Sequence, residues 1–180
     1  MGDIDQSSAQ SGHLSQFVGE WSLEKDATTI ALNTKALWGL VKVKGTFRAS
    51  GGSAKVCGDG SVAGELLVDA GSVDTKTPKR DAHLRTADFF EVERHPAFRY
   101  VVTDVKSIDD SNYKLIGTLT VRTSTRPLEL DAKVAFDGGT NQLTVSVVTM
   151  LDRTAWGIGW TKMGAGIHNK LLVTAVFNRA

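Results

Sequence analysis

The sequence has a single cysteine, and this scarcity excludes several kinds of fold and chemistry. Cys57 is alone among 180 residues, so no internal disulfide can form and the fold does not require an oxidising compartment. Zinc sites built on cysteine pairs are excluded for the same reason. The four histidines are scattered and form no metal-binding spacing; they are His13, His83, His95 and His168. We therefore expect no metal and no resident cofactor.

A large net charge and long hydrophobic runs are also missing. The chain carries 21 basic and 20 acidic residues, so no overall field attracts nucleic acid, and we expect no such partner. No stretch approaches the roughly 20 apolar residues of a membrane span, which predicts no integral membrane segment. The first twenty residues lack an apolar run of signal-peptide length, so we expect a cytoplasmic location. The near-neutral charge permits a homodimer.

Motifs of catalysis are scarce as well. There is no phosphate-binding loop and no G-x-S-x-G nucleophile elbow. The densest polar group is Arg80, Asp81, His83, Arg85 and Asp88. An aspartate–histidine pair can perform acid–base chemistry, but no nucleophile is suggested nearby, and Asp81 and Arg85 are spaced for an ion pair on a helix. We expect a protein that is not an enzyme; a lipid-modifying enzyme that uses His83 as its base is the alternative.

What the sequence does contain is a series of short runs in which apolar and polar residues alternate. Residues 1–16 are polar and predict a disordered tail, and residues 17–180 predict one domain. Glycine-rich and Asp/Asn-rich turn signals separate the runs, for example Ser50-Gly51-Gly52 and Asp137-Gly138-Gly139. About eight antiparallel strands are predicted, either as a closed barrel or as a sandwich.

One segment breaks the alternation and predicts a helix over residues 78–88. Thr77 is placed to cap its first turn, and Pro78 suits the first helical position. The helix must end before His95, because the residue before Pro96 avoids helical backbone angles. We expect this segment to cover one side or end of the sheet, anchored by Phe89 and Phe90.

An eight-stranded barrel either fills with its own side chains or holds one ligand, and periodicity does not choose between a solid core and a cavity. Strand parity assigns one face of each run to the interior. The apolar candidates for a cavity lining are Ile30, Leu32, Val41, Val43, Phe47, Leu66, Val68, Phe89, Phe98, Tyr100, Leu119, Leu130, Val145, Trp156, Ile158 and Trp160.

Several motifs are similar to those of the YceI-like, polyisoprenoid-binding family. The most specific is S-V-D-T at 72–75 with R-D-x-H-L-R-x-x-D-F-F at 80–90; others are V-K-G-T-F at 43–47, G-T-L-T-V at 117–121 and D-R-T-A-W-G-I at 152–158. The resemblance implies an all-β, antiparallel, lipocalin-like extended barrel with an elongated apolar cavity. It implies a bound polyisoprenoid, isoprenoid quinone or similar amphiphile, held for carriage, storage or sequestration.

The resemblance also bears on the head group and the setting of the protein. Arg80, His83 and Arg85 are the candidates to meet a phosphate or a quinone oxygen at one mouth of the barrel. Relatives often dimerise, and many are periplasmic or secreted.

Overall fold

Nine strands account for most of the chain in the structure, a computed structural model that describes residues 13–180. One short α-helix, α1 (Pro78–Leu84), lies between the fourth and fifth strands. The strands are β1 (Gly19–Leu23), β2 (Thr29–Ala36), β3 (Val41–Val56), β4 (Val62–Asp74), β5 (Ala97–Ser107), β6 (Asn112–Val121), β7 (Ser124–Asp137), β8 (Gln142–Asp152) and β9 (His168–Arg179). Single 3-10 turns occupy Ser15–Phe17, Arg153–Trp156 and Lys162–Gly164.

Strands β2 to β9 close an eight-stranded barrel. Each pairs antiparallel with its neighbour in the chain, and β9 pairs back onto β2 through partners such as Ile30 and Val173. The short strand β1 lies between β3 and β9 beyond the point where β2 ends, so two short strands together span the long β3. The predicted antiparallel barrel is confirmed, and the sandwich alternative is wrong because the sheet has no free edge between β4 and β3.

The glycines predicted to form a turn at Ser50-Gly51-Gly52 lie inside β3 instead. A Cβ atom on Gly52 would lie 2.9 Å from the carbonyl oxygen of Glu65 and 3.2 Å from the side chain of Leu23. Glycine is therefore needed there for the close approach of β1 and β4, and it does not mark a chain reversal. The sequence prediction was wrong here because a glycine in a turn and a glycine at a close approach of strands look the same in the sequence.

Helix α1 ends at Leu84, four residues before the predicted end. Thr77 stands at the N-cap position, but its side chain makes no capping hydrogen bond. The chain then folds back on itself, since the amide of Phe90 donates to the carbonyl of Leu84 at 3.0 Å. This reversal turns the Phe89 ring into the interior, where it is buried.

The predicted tail overlaps an ordered 3-10 turn at the start of the described chain. Residues 1–12 lie outside the described residues, whereas Leu14 and Phe17 are buried in a core cluster with Trp21. Among residues 13–180, no helix has both the length and the apolar character needed to cross a membrane.

Candidate functional site

The barrel encloses an elongated cavity of about 920 Å³. This volume is near the upper end of the roughly 300–1,000 Å³ typical of small-molecule sites. Its wall is made by the inward faces of the strands and is apolar along most of its length. The alternative of a solid-core protein is therefore wrong.

Most of the residues predicted to face a cavity do lie on its wall. Seventeen of the nineteen candidates do so: Ile30, Leu32, Val43, Phe47, Leu66, Val68, Arg80, His83, Phe89, Phe98, Tyr100, Leu119, Leu130, Val145, Trp156, Ile158 and Trp160. Contact of these side chains with a ligand stays a prediction.

Two candidates lie elsewhere. Val41 pairs with Ala36 at the first position of β3, and its side chain is 40% exposed beyond the rim of the cavity. Arg85 turns away from the cavity to donate from Nε to the carbonyl of Gly71 at 2.9 Å and from Nη2 to that of Val73 at 3.0 Å. It satisfies two carbonyls on the part of β4 that does not pair with β5, so its guanidinium lies off the cavity wall; its contact with a head group stays a prediction.

One end of the barrel, which we call the aromatic end, is filled by ring side chains. Phe17 packs edge-to-face against Tyr113 and Phe136 at centroid distances of 6.1 and 6.0 Å. The indole N–H of the buried Trp21 donates to the carbonyl of Phe17 at 2.8 Å. Arg179 lies over the Trp21 ring and donates to the carbonyl of Val18 at 2.6 Å. These contacts hold the 3-10 turn Ser15–Phe17 in place as a plug that closes this end of the cavity.

The other end, which we call the cationic end, gathers five lysine and arginine side chains on the cavity wall. They are Lys35, Lys79, Arg80, Arg153 and Lys162. Among the described residues that line the cavity, the one carboxylate is that of Glu65, which forms an ion pair with Arg99 at 2.8 Å. Six of the exposed residues on the wall belong to this end, so the cavity reaches the surface here; they are Lys35, Leu37, Thr77, Lys79, Lys162 and Met163.

Arg153 organises the loop over the cationic end. Its guanidinium donates to the carbonyls of Ile158, Trp160, Ala165 and Gly166 at 2.6 to 3.3 Å. Burial lowers the pKa of this guanidinium below its usual range, although nearby Asp152 opposes the shift. Its hydrogen-bond acceptors are neutral carbonyls, so its positive charge is not cancelled by them.

The polar cluster around α1 bonds mainly to the backbone and to neutral groups. The buried carboxylate of Asp81 accepts from the amide and hydroxyl of Thr75 at 2.9 and 2.6 Å. The predicted Asp81–Arg85 ion pair is therefore wrong. His83 lines the cavity between Phe89 and Trp160, and its Nε2 lies 2.8 Å from Asp88.

Tyr100 supplies a hydroxyl within the apolar part of the wall. The hydroxyl donates to the carbonyl of Leu128 at 2.8 Å, so it is already satisfied. Burial, with a smaller contribution from Glu129, raises the pKa of Tyr100 to about 12. The ring needs the space left by Gly117, where a Cβ atom would collide with the carbonyl of Val101. The Tyr100 hydroxyl therefore adds no charge to the cavity wall, even well above neutral pH.

Sequence reasoning missed the aromatic end, and at the cationic end it identified Arg80 and His83 but not the other cations. Leu14 and Phe17 are spaced one helical turn apart within a polar segment, a signal too short to separate from chance. Lys35, Lys79 and Lys162 come from three separate segments, and the barrel topology brings them together.

The family model for YceI-like domains matches residues 21–178. A UPF0312 protein of Pectobacterium atrosepticum is 41% identical over 73 residues, which cover 41% of this chain and 38% of that protein. Protein YceI of Escherichia coli is 36% identical over 73 residues, with the same coverage of 41% and 38%. The aligned region thus spans about two fifths of the length of these curated relatives.

Two solved structures share the fold over nearly their whole length. BcnA of Burkholderia cenocepacia superposes with a TM-score of 0.76 at 17% identity, covering 86% of this chain and 98% of that one. A polyisoprenoid-binding domain of Saccharophagus degradans, implicated in plant cell wall breakdown, gives a TM-score of 0.71 at 13% identity, covering 89% and 98%. At these identities the likeness establishes the barrel fold.

Proposed function

This chain belongs to the YceI-like family, and from that membership and the cavity geometry we propose that it binds a long-chain lipid, a polyisoprenoid or isoprenoid quinone, for carriage, storage or sequestration. The supporting observation is the cavity of about 920 Å³, apolar along its length and cationic at one end. The Saccharophagus degradans neighbour, described as polyisoprenoid-binding, supports the same class of ligand.

Hydrocarbon burial accounts for the affinity. About twenty CH₂-sized groups at about 0.8 kcal/mol each contribute on the order of 16 kcal/mol, which approaches the ceiling for non-covalent complexes. The head group therefore sets the orientation of the lipid more than its affinity. We place the hydrocarbon toward the aromatic end and the head group, a phosphate or a quinone oxygen, near Arg80 and His83.

The test places a bulky side chain inside the cavity. An outward-facing residue of the same strand, given the same substitution, is the control. Val145 lines the cavity, whereas Val148, on the same strand, is 60% exposed outside the barrel. We expect Val145→Trp to reduce the lipid retained by the purified protein by at least about tenfold, because the indole occupies the space of several CH₂ groups. Val148→Trp should retain lipid like the parent. Native mass spectrometry and solvent extraction measure the occupancy, and melting curves confirm folding.

Equal retention by both variants, or no lipid in the parent and no uptake of added polyprenol, would contradict the proposal. Supplying polyprenol, polyprenyl phosphate and ubiquinone in parallel tests the head group. Preference for the phosphate that disappears in Arg80→Gln would assign an anionic head group to the cationic end.

One observation favours the enzymatic alternative: His83, on the cavity wall, is paired with Asp88. The YceI-like family is a binding-domain fold, which favours binding over catalysis. Incubation of the protein with the same isoprenoids, followed by mass analysis of the lipid, separates the two. A modified lipid that His83→Gln no longer produces would establish catalysis.

A further inference from the structure

Exposed apolar side chains concentrate beside the cationic end, on the β2–β3 turn with the first residue of β3 and on the loop before β9. We call this set, Leu37, Trp38, Leu40, Val41 and Met163, the apolar rim. Trp38 is 79% exposed, Leu40 86% and Met163 69%. Single exposed apolar residues are ordinary, but a group of five on two neighbouring segments indicates an interaction surface.

The two segments are held together as one unit. The amide of Trp38 donates to the carbonyl of Gly164 at 3.2 Å, and the amide of Gly166 donates to the carbonyl of Lys35 at 2.8 Å. Gly164 has a φ of +66°, and a Cβ atom there would collide with the backbone nitrogen of Trp38. Leu37 and Trp38 themselves have φ values of +49° and +54°, which large side chains rarely adopt. The fold therefore fixes the backbone that carries the exposed Trp38 side chain.

Lysines surround the apolar rim without anionic partners. Lys35 and Lys42 are directly opposed on β2 and β3, an arrangement that destabilises a sheet. Lys44 and Lys170 both pair in register with Asn33. Across residues 13–180, none of these four lysines, nor Lys79 or Lys162, lies within ion-pair distance of a carboxylate; the ion pairs formed there involve other cations.

We propose that the apolar rim docks on the surface of an anionic phospholipid bilayer. Trp38, Leu40 and Met163 enter the boundary between head groups and acyl chains, where tryptophan and long apolar side chains are favoured. The surrounding lysines contact lipid phosphates. Two copies of this chain meeting through their rims would bring like charges together, so charge complementarity selects the bilayer over a second copy. The proposal goes beyond lipid binding, because it specifies a second surface and its partner.

Docking brings the mouth of the cavity against the membrane. Leu37 and Met163 belong both to the rim and to the cavity wall, so the docked surface is continuous with the cavity. An apolar chain could then pass between bilayer and barrel without crossing water.

The test is flotation of the full chain with vesicles of phosphatidylcholine containing phosphatidylglycerol, beside vesicles of phosphatidylcholine alone. We expect binding to the anionic vesicles that weakens with salt. Trp38→Ser combined with Leu40→Ser should reduce it by at least about tenfold. Lys42→Gln and Lys44→Gln should each reduce it by about fivefold. Ile108→Ser, which changes an aliphatic residue 58% exposed at the aromatic end, should bind like the parent.

Fluorescence provides a readout that does not depend on the serine variants folding. Trp21 and Trp156 are buried, and Trp160 is half-buried on the cavity wall, so a blue shift of the emission on anionic vesicles is assigned to Trp38 by its absence in Trp38→Phe, which keeps the other three tryptophans. Failure of the parent to bind anionic vesicles would overturn the proposal, as would unchanged binding by the Trp38→Ser, Leu40→Ser variant. A dimer of the parent that this variant abolishes would assign the rim to a second copy and overturn it too.

Retained lipid is measured separately on the same variants. None of Trp38, Leu40, Lys42 and Lys44 lines the cavity, so their substitution should leave lipid retention unchanged. Loss of vesicle binding with lipid still retained supports docking as a distinct property. A parent that docks but never holds lipid would contradict the proposed function and leave docking supported.

Discussion

The two ends of the barrel are closed by different physical means. At the aromatic end, rings of Phe17, Tyr113 and Phe136 pack edge-to-face and exclude water by apolar burial. At the cationic end, arginines hold the covering loops through backbone carbonyls: Arg85 bonds to β4, and Arg153 bonds to the loop that follows β8. An apolar plug suits the blind end of a cavity, whereas loops held by hydrogen bonds leave charged groups at the mouth.

The largest expected effect comes from breaking the aromatic plug. Phe17→Ala removes a buried ring that contacts Tyr113 and Phe136, and we expect unfolding to become easier by about 3–5 kcal/mol. Urea unfolding measures this change. Because the plug ends the cavity, the folded variant should also retain longer hydrocarbon chains than the parent.

The matched control for Phe17 is Ile108→Ala at the same end. Ile108 is 58% exposed, so its truncation should change the free energy of unfolding by no more than about 0.5 kcal/mol. If Phe17→Ala costs no more than Ile108→Ala, the aromatic end is not a packed plug and the contrast between the ends fails.

The next effect concerns the loops at the cationic end. Arg85→Ala leaves the carbonyls of Gly71 and Val73 without their donor, and we expect a loss of about 1.5–3 kcal/mol in the free energy of unfolding. Lipid retained per folded molecule should not change, since Arg85 does not line the cavity. Urea unfolding and solvent extraction on the same preparation give the two numbers.

Lys76→Ala is the control for Arg85. Lys76 is a highly exposed cation whose ion pair with Asp74 lies at the surface and is screened by water, so its loss should leave the free energy of unfolding nearly unchanged. A variant Arg85→Ala that unfolds like the parent but releases its lipid would make Arg85 a head-group residue after all.

The same contrast explains what the sequence could and could not predict. Strand parity assigned Phe47, Leu66 and Val145 to the interior correctly, because a period of two fixes a whole face at once. Strand parity did not predict the exposed position of Val41. Parity assigns a side chain to one face of a strand, but it does not show where along the strand the cavity ends. The mouth was harder still: Arg153 acts through carbonyls that carry no sequence signature, and the lysines of the mouth converge only through topology.

The smallest expected effect is the pH dependence set by the two tyrosines, which stand in different parts of the barrel. Burial raises the pKa of Tyr100 to about 12, and burial with nearby Asp110 and Asp109 raises that of Tyr113. An unfolded tyrosine ionises near 10. A raised folded pKa means that the neutral form is favoured in the folded protein, so this contribution to stability is fully present below about pH 10 and is lost as the pH rises through the folded value.

Single variants separate the two sites, because the chain has only these two tyrosines. In Tyr113→Phe, the ultraviolet absorbance of tyrosinate reports Tyr100 alone, and we expect it to appear near pH 12 in the folded protein. Stability should fall less steeply above pH 10 in Tyr100→Phe than in the parent. Lipid in the cavity should raise the Tyr100 pKa further, since hydrocarbon displaces water from the wall that carries the ring. Ionisation of Tyr100 near pH 10, unmoved by lipid, would show that water reaches the middle of the barrel freely and that the apolar length between the two ends is shorter than the structure indicates.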